Sequence, residues 1–115
     1  MAQSERLICA SEALVDGGSG FRFEVCRAGE PMPAFAVRFG GVVRAYINEC
    51  RHQCTELDWN PGEFFDAERL YLVCATHGAL YQPDTGLCVD GPCRGACLAR
   101  VAVRERDGAV YCSED

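Results

Sequence analysis

The sequence predicts an all-β domain of antiparallel strands, on three observations. Apolar residues alternate with polar or small ones in short runs, as in Phe21, Phe23 and Val25 against Arg22 and Glu24. Glycine-bearing turns such as Gly40-Gly41 and Asp107-Gly108 separate these runs, and the chain reads as strands and turns rather than helices. A period of two is the signature of a strand with one face buried, and paired turn residues at a run's end mark a hairpin.

Taken in order, Gly17-Gly18-Ser19-Gly20 reads as a flexible turn between strands rather than a domain boundary. Phe21 to Val25 is the first clear strand, and Phe35, Val37 and Phe39, alternating with Ala36 and Arg38, make another half-buried one. Gly40-Gly41 turns the chain into Val42 to Ile47, a hairpin. Glu63 to Arg69 fits either a short helical turn or a loop, and Leu70 to Val73 is a short apolar run. A last hairpin is expected from Leu98 to Val103, a turn near Asp107-Gly108, and Ala109 to Cys112. No repeat, linker or low-complexity segment interrupts the chain.

Length and composition bound the function. At 115 residues the chain is one domain, able to bury a single core. Apolar residues make up 49% and charged ones 24%, values that suit a globular protein and not a disordered one. The formal charge is -6 with no basic run, which disfavours nucleic acid and anionic membrane surfaces and suits a basic docking face on a partner protein. No basic, apolar leader opens the chain, and no apolar run approaches the ~20 residues a membrane helix needs. A cytoplasmic location is therefore expected, with no membrane partner. Nine cysteines would suggest disulfides in a secreted domain, but the count is odd and no export signal accompanies it, so a reducing compartment is expected.

The chemistry concentrates in two short motifs. The chain's two histidines each sit beside a cysteine, in Cys50-Arg51-His52 and Cys74-Ala75-Thr76-His77. Each motif follows a predicted strand, so both ligand pairs fall at strand ends. One Cys and one His from each of two loops form a two-sulfur, two-nitrogen donor set that iron or zinc accepts. Taken alone, these spacings also describe a structural zinc site.

The residues that follow distinguish the two. Leu57 comes after the first motif; Gly78-Ala79, Tyr81, Pro83-Asp84-Thr85-Gly86 and Gly91-Pro92 come after the second. This order, over roughly 48–98, resembles the Rieske [2Fe-2S] proteins. The resemblance implies small stacked antiparallel sheets, a single Rieske domain over 1–115 and a cluster-binding subdomain inserted at about 48–92. It also implies one [2Fe-2S] cluster, with Cys50 and Cys74 on the inner iron and His52 and His77 on the outer one. Gly91-Pro92 matches a loop covering the cluster from a third side. Most of the remaining seven cysteines (nine less the two ligands) are expected to be small buried hydrophobes. Cys88, Cys93 and Cys97 read as inert, Cys93 being the one expected near the cluster. Trp59 and the phenylalanines read as core. Arg51 reads equally as a solvated side chain or as part of a docking face.

Departures from the family carry information too. Rieske proteins of quinol-oxidising complexes carry a disulfide between the two cluster loops. Cys54 could supply one half, but Thr76 stands where its partner would be, so that disulfide is expected to be absent. Ala79 occupies the position of a serine that donates to a bridging sulfide, whereas Tyr81 retains the tyrosine position and can donate to a cysteine sulfur. The pattern is closer to soluble Rieske-type ferredoxins and to small Rieske subunits of nitrite reductases. The resemblance thus implies an electron-transfer component with no catalytic residues of its own, carrying single electrons from a reductase to a terminal oxygenase or reductase. A redox-sensing Rieske module and, more remotely, a structural zinc module are the alternatives.

Overall fold

The computed structural model describes residues 4–50, 56–58, 62–74, 78–91 and 94–114. Among these residues there is no α-helix; one 3-10 turn, Ser11–Ala13, accompanies the strands. The strands are β1 (Ser4–Ala10), β2 (Phe21–Arg27), β3 (Glu30–Phe39), β4 (Val42–Ile47), β5 (Leu72–Val73), β6 (Leu80–Tyr81), β7 (Cys88–Asp90), β8 (Val103–Arg106) and β9 (Ala109–Glu114). They form three small antiparallel sheets, ordered β1-β9-β8, β2-β3-β4 and β5-β6-β7. The all-β antiparallel fold expected from the sequence is what the chain adopts.

The middle sheet organises the rest. Its β3–β4 hairpin turns at Gly40-Gly41 as expected, both with positive φ, and the Asp16 carboxylate accepts hydrogen bonds from both turn amides at 3.2 and 2.6 Å. A second hairpin, at Ala28-Gly29, joins β2 to β3 with Arg27 paired to Glu30. The alternation in β3 is real, but both of its faces are buried. Ala34, Phe35, Ala36 and Val37 are all sealed from solvent. Ala34 and Ala36 pack with Val43, Ala45, Val110 and Cys112 in one apolar cluster, which draws in the β1-β9-β8 sheet. Phe35 and Val37 pack with Tyr46, Phe64, Leu72 and Tyr81 in another, which draws in the β5-β6-β7 sheet. The molecule is thus three layers with two apolar clusters, where a single core was expected from the chain's length, because β3 is covered on both faces. The alanines fill one side of β3 and the larger residues the other.

Two expectations are corrected at the edges, and one left open is decided. The final hairpin does turn at Asp107-Gly108, but its first strand begins at Val103 rather than Leu98. The chain before it runs along β4 instead, with Ile47 N donating to Ala99 O and Val101 N to Ala45 O. Leu98 and Val101 are buried in different clusters, which draws this segment across the boundary between the two cores. Leu70 is 53% exposed, so the apolar run ahead of the second motif contracts to Leu72–Val73. The Glu63–Arg69 stretch is a loop, in which Asp66 accepts from the amides of Leu70 and Tyr71. The glycine segment at 17–20 is fixed at both ends, Gly17 N donating to Arg38 O and Gly20 N to Gly62 O.

Arg38 ties the first two layers together. Its guanidinium meets the Glu105 carboxylate through two hydrogen bonds, of 3.0 and 2.6 Å, and also donates to the carbonyls of Ser11, Leu14 and Gly41. That bidentate partner holds the Glu105 carboxyl at about 2, against 4.5 ordinarily.

Candidate metal centre

Cys50 leaves the end of β4, and Cys74 directly follows β5, so both thiols stand at strand ends as the motifs predict. Cys50 is 2% and Cys74 0% exposed, and both belong to the apolar cluster beneath the third sheet. Two thiols buried together suit a soft metal, since thiolate is the preferred sulfur donor and dry surroundings exclude competing water. Tyr81, on β6, brings its hydroxyl to 3.5 Å from Cys50 Sγ, inside the same buried cluster. The expected tyrosine-to-sulfur contact is therefore present.

The loop after Cys74 is closed by backbone. Gly78 N donates to Cys74 O at 2.7 Å, and Cys74 N to Ala79 O at 2.9 Å. Gly78 has φ +72, a conformation that glycine adopts without a steric cost. β5 ends at Val73 and β6 begins at Leu80, with six residues between them along the chain. Ala79 is fully buried and offers no side-chain donor.

The first loop is closed by a side chain instead. Asn48 Oδ1 accepts from Leu57 N at 2.8 Å, while its Nδ2 donates to Asp58 Oδ1 at 3.0 Å. Asp58 Oδ2 accepts from Gly62 N at 2.9 Å and lies 3.3 Å from Arg22 Nε. Among the described residues, Asn48 and Asp58 are the buried polar side chains. Buried polar groups persist only when satisfied, and these two satisfy one another while joining the chain before Cys50 to the chain after residue 55. Sequence reading missed this pair. An asparagine two residues before the motif and an aspartate six after it are ordinary loop residues until their partners are known.

A third segment approaches from the side. Gly91 has φ +103, and a β-carbon there would stand 2.8 Å from Ala79 Cα. Only a residue without a side chain permits that contact, so the 91 turn closes directly over the second loop. Behind it, Tyr46 donates to Pro83 O at 2.8 Å, and Thr85 Oγ1 donates to Gln82 Oε1 at 2.8 Å, which fixes the turn into β7. Burial pushes the Tyr46 hydroxyl's pKa up, so it stays a donor at neutral pH.

His52 and His77 lie outside the described residues, as do Arg51, Cys54, Trp59, Thr76, Pro92 and Cys93. Among the described residues no group of three or more His, Cys, Asp or Glu side chains assembles, both histidines being elsewhere. The described half of the donor set is thus the thiol half, and its burial beside a phenol fits a sulfur-ligated metal. Of the remaining cysteines five are described: Cys88 and Cys112 are buried as expected, Cys9 is partly so, and Cys26 on β2 and Cys97 in its bridge to Leu87 are exposed. Phe35 and Phe64 are core, stacked with ring centroids 4.0 Å apart, while Phe21, Phe23, Phe39 and Phe65 are half-buried.

Comparison with known proteins agrees with this geometry. No curated protein matches the sequence. Among solved structures, a chain from the complex of reduced oxygenase and oxidized ferredoxin in carbazole 1,9a-dioxygenase is 23% identical. It superposes with a TM-score of 0.73 over 99% of this chain and 96% of its own. The ferredoxin of carbazole 1,9a-dioxygenase from Nocardioides aromaticivorans IC177 is 20% identical, with a TM-score of 0.71 over 97% of this chain and 99% of that one. The terminal oxygenase of carbazole 1,9a-dioxygenase from Novosphingobium sp. KA1 is 23% identical, with a TM-score of 0.74 over 98% of this chain but only 30% of that one. At these identities the likeness is one of fold. Among the described residues no helix is long and apolar enough to cross a membrane. The model of the Rieske [2Fe-2S] domain matches residues 5–103, from β1 into β8, and the chain belongs to that family.

Proposed function

We propose that this protein is a Rieske-type ferredoxin, carrying single electrons from a reductase to a terminal oxygenase or reductase. Family membership implies a Rieske-type [2Fe-2S] cluster. Cys50 and Cys74 would hold its inner iron, and His52 and His77 its outer one. When bound, the cluster supplies a one-electron centre. The inserted subdomain at about 48–92 would be the part of the single domain that carries it.

The observation that carries this reading is the buried pair of thiols with the Tyr81 hydroxyl against Cys50. Burial keeps water from the sulfur ligands. The Tyr81 hydroxyl neutralises part of the thiolate charge and so favours the reduced state. Asn48 and the backbone closure at Cys74 hold both loop stems in place, which limits rearrangement when the charge changes. An oxygenase partner is supported by the ferredoxin–oxygenase complexes among the similar structures.

The test is compositional and spectroscopic. The protein as isolated, expressed with adequate iron, should contain two irons and two acid-labile sulfides per chain and give the electron paramagnetic resonance of a reduced Rieske centre. His77→Ala should abolish that signal. A colourless, zinc-loaded native protein would rule the reading out in favour of the structural zinc alternative. Reduction by a nicotinamide-linked reductase, followed by turnover of an oxygenase, would test the direction of transfer.

A further inference from the structure

On another part of the molecule, a cavity of about 480 Å³ opens where the end of β2, the edge of β4 and the start of β8 meet. That volume falls within the roughly 300–1,000 Å³ of small-molecule sites. Three arginines line it: Arg27 from the end of β2, Arg44 from β4, and Arg100 from the segment that runs along β4. No acidic side chain is among the lining residues, and the valines at 25, 43, 101 and 103 supply apolar wall.

The charge distribution makes this concentration unusual. The chain has 11 basic residues, all arginine, against 17 acidic ones. Four arginines outside the cavity meet carboxylates: Arg22 meets Glu56 and Asp58, Arg38 meets Glu105, and Arg104 and Arg106 meet Glu5. Among the described residues, the three at the cavity meet none. Arg27 donates to the Arg100 carbonyl and Arg100 to the Asp84 carbonyl, so each is positioned by backbone rather than by a carboxylate among the described residues. Arg44 Nε is buried and has no hydrogen-bond partner among the described residues. Leaving a buried donor unmade is costly, more so on a charged group, and clustering like charges adds to that cost.

We propose that the cavity is a binding site for a small organic oxyanion, a carboxylate or phosphate ester, clamped by Arg27, Arg44 and Arg100. Planar guanidinium forks match both kinds of oxyanion, and the anion would satisfy the Arg44 donor while offsetting the three charges. The valine walls favour an anion with a carbon body over a bare inorganic one. Tyr46 forms part of the wall, and its hydroxyl holds the Pro83 carbonyl of the turn into β7.

Calorimetric titration of the as-isolated protein tests this, with citrate and inorganic phosphate as probes at one ionic strength. Citrate should bind saturably at one per chain and more tightly than phosphate. Arg44→Gln should weaken citrate at least tenfold, Arg44→Lys should fall between, and Arg104→Gln, at a residue that does not line the cavity and pairs with Glu5, should leave it unchanged. Arg100→Gln provides a second deletion should Arg44→Gln fail to fold. Absence of saturable binding, phosphate binding as tightly as citrate, or an equal loss in Arg104→Gln would each overturn the assignment. The titration reads binding alone, so its outcome is independent of any electron-transfer activity.

Discussion

The Tyr81 hydroxyl stands 3.5 Å from Cys50 Sγ in surroundings closed to water. The two residues are 31 apart in sequence, Tyr81 on β6 and Cys50 three positions past the end of β4, and they meet because the β5-β6-β7 sheet packs against the middle one. A hydrogen bond to a metal-bound thiolate strengthens as electron density on the sulfur grows. Tyr81→Phe should therefore lower the midpoint potential, by tens of mV, since ~59 mV is a tenfold change for one electron and a net hydrogen bond is worth ~1 kcal/mol. Protein-film voltammetry on the variant checks this, and an unmoved midpoint would remove the contact from any role in tuning.

Ala79 supplies the opposite case. It is sealed in the core with no donor of its own, so Ala79→Ser should raise the midpoint by a similar amount if the hydroxyl reaches the cluster. With one donor retained and one missing, the wild type is expected in the lower half of the roughly -150 to +300 mV Rieske range. A redox titration near the top of that range would contradict the expectation.

Asn48 joins both stems of the first loop through buried hydrogen bonds. Asn48→Ala leaves Leu57 N and Asp58 without their partner, at a cost of about 1–3 kcal/mol per unsatisfied group. The variant should unfold at a lower denaturant concentration and lose iron faster to a chelator than wild type. Lower stability with unchanged iron loss would mean that the pair supports the fold but not the loop.

Gly91→Ala should be destabilising from two causes, the contact with Ala79 Cα and a φ of +103 that side chains rarely adopt. We expect a loss of about 1–3 kcal/mol in chemical denaturation. Gly29→Ala, at a hairpin turn with nothing within 4 Å of the added atom, is the comparison and should cost less.

Glu105 yields a prediction about acid. Its folded carboxyl sits at about 2, below the ordinary 4.5, because Arg38 binds the charged form. The pair's contribution is therefore complete above pH 4.5 and is lost as pH falls toward 2. Being partly exposed, it is worth no more than about 1 kcal/mol. Glu105→Gln should be slightly less stable than wild type at pH 7, and the gap should close between pH 4.5 and 2. A constant gap across that range would contradict the assignment.

Much of this protein was legible from local pattern alone. Alternation in β2 and β3, the Gly40-Gly41 and Asp107-Gly108 turns, and the two Cys-x-His and Cys-x-x-His motifs at strand ends each depend on residues a few positions apart. Strand period, turn conformation and ligand spacing are short-range properties, so sequence suffices for them. The strand pairings between distant segments are not. β1 pairs with β9 across the length of the chain, and its Ser4-to-Ala10 sequence, with Leu7 59% exposed, carries no clean alternation to announce it. Nor does alternation in β3 say what lies over each face: Ala36 reads as a solvent-side residue until the β1-β9-β8 sheet covers it. The same holds for Asn48 with Asp58, and for three arginines from three segments around one cavity. In each case the deciding interaction is between residues the chain brings together only on folding, and burial, which gives such contacts their energy, is a property of the assembled layers rather than of any segment.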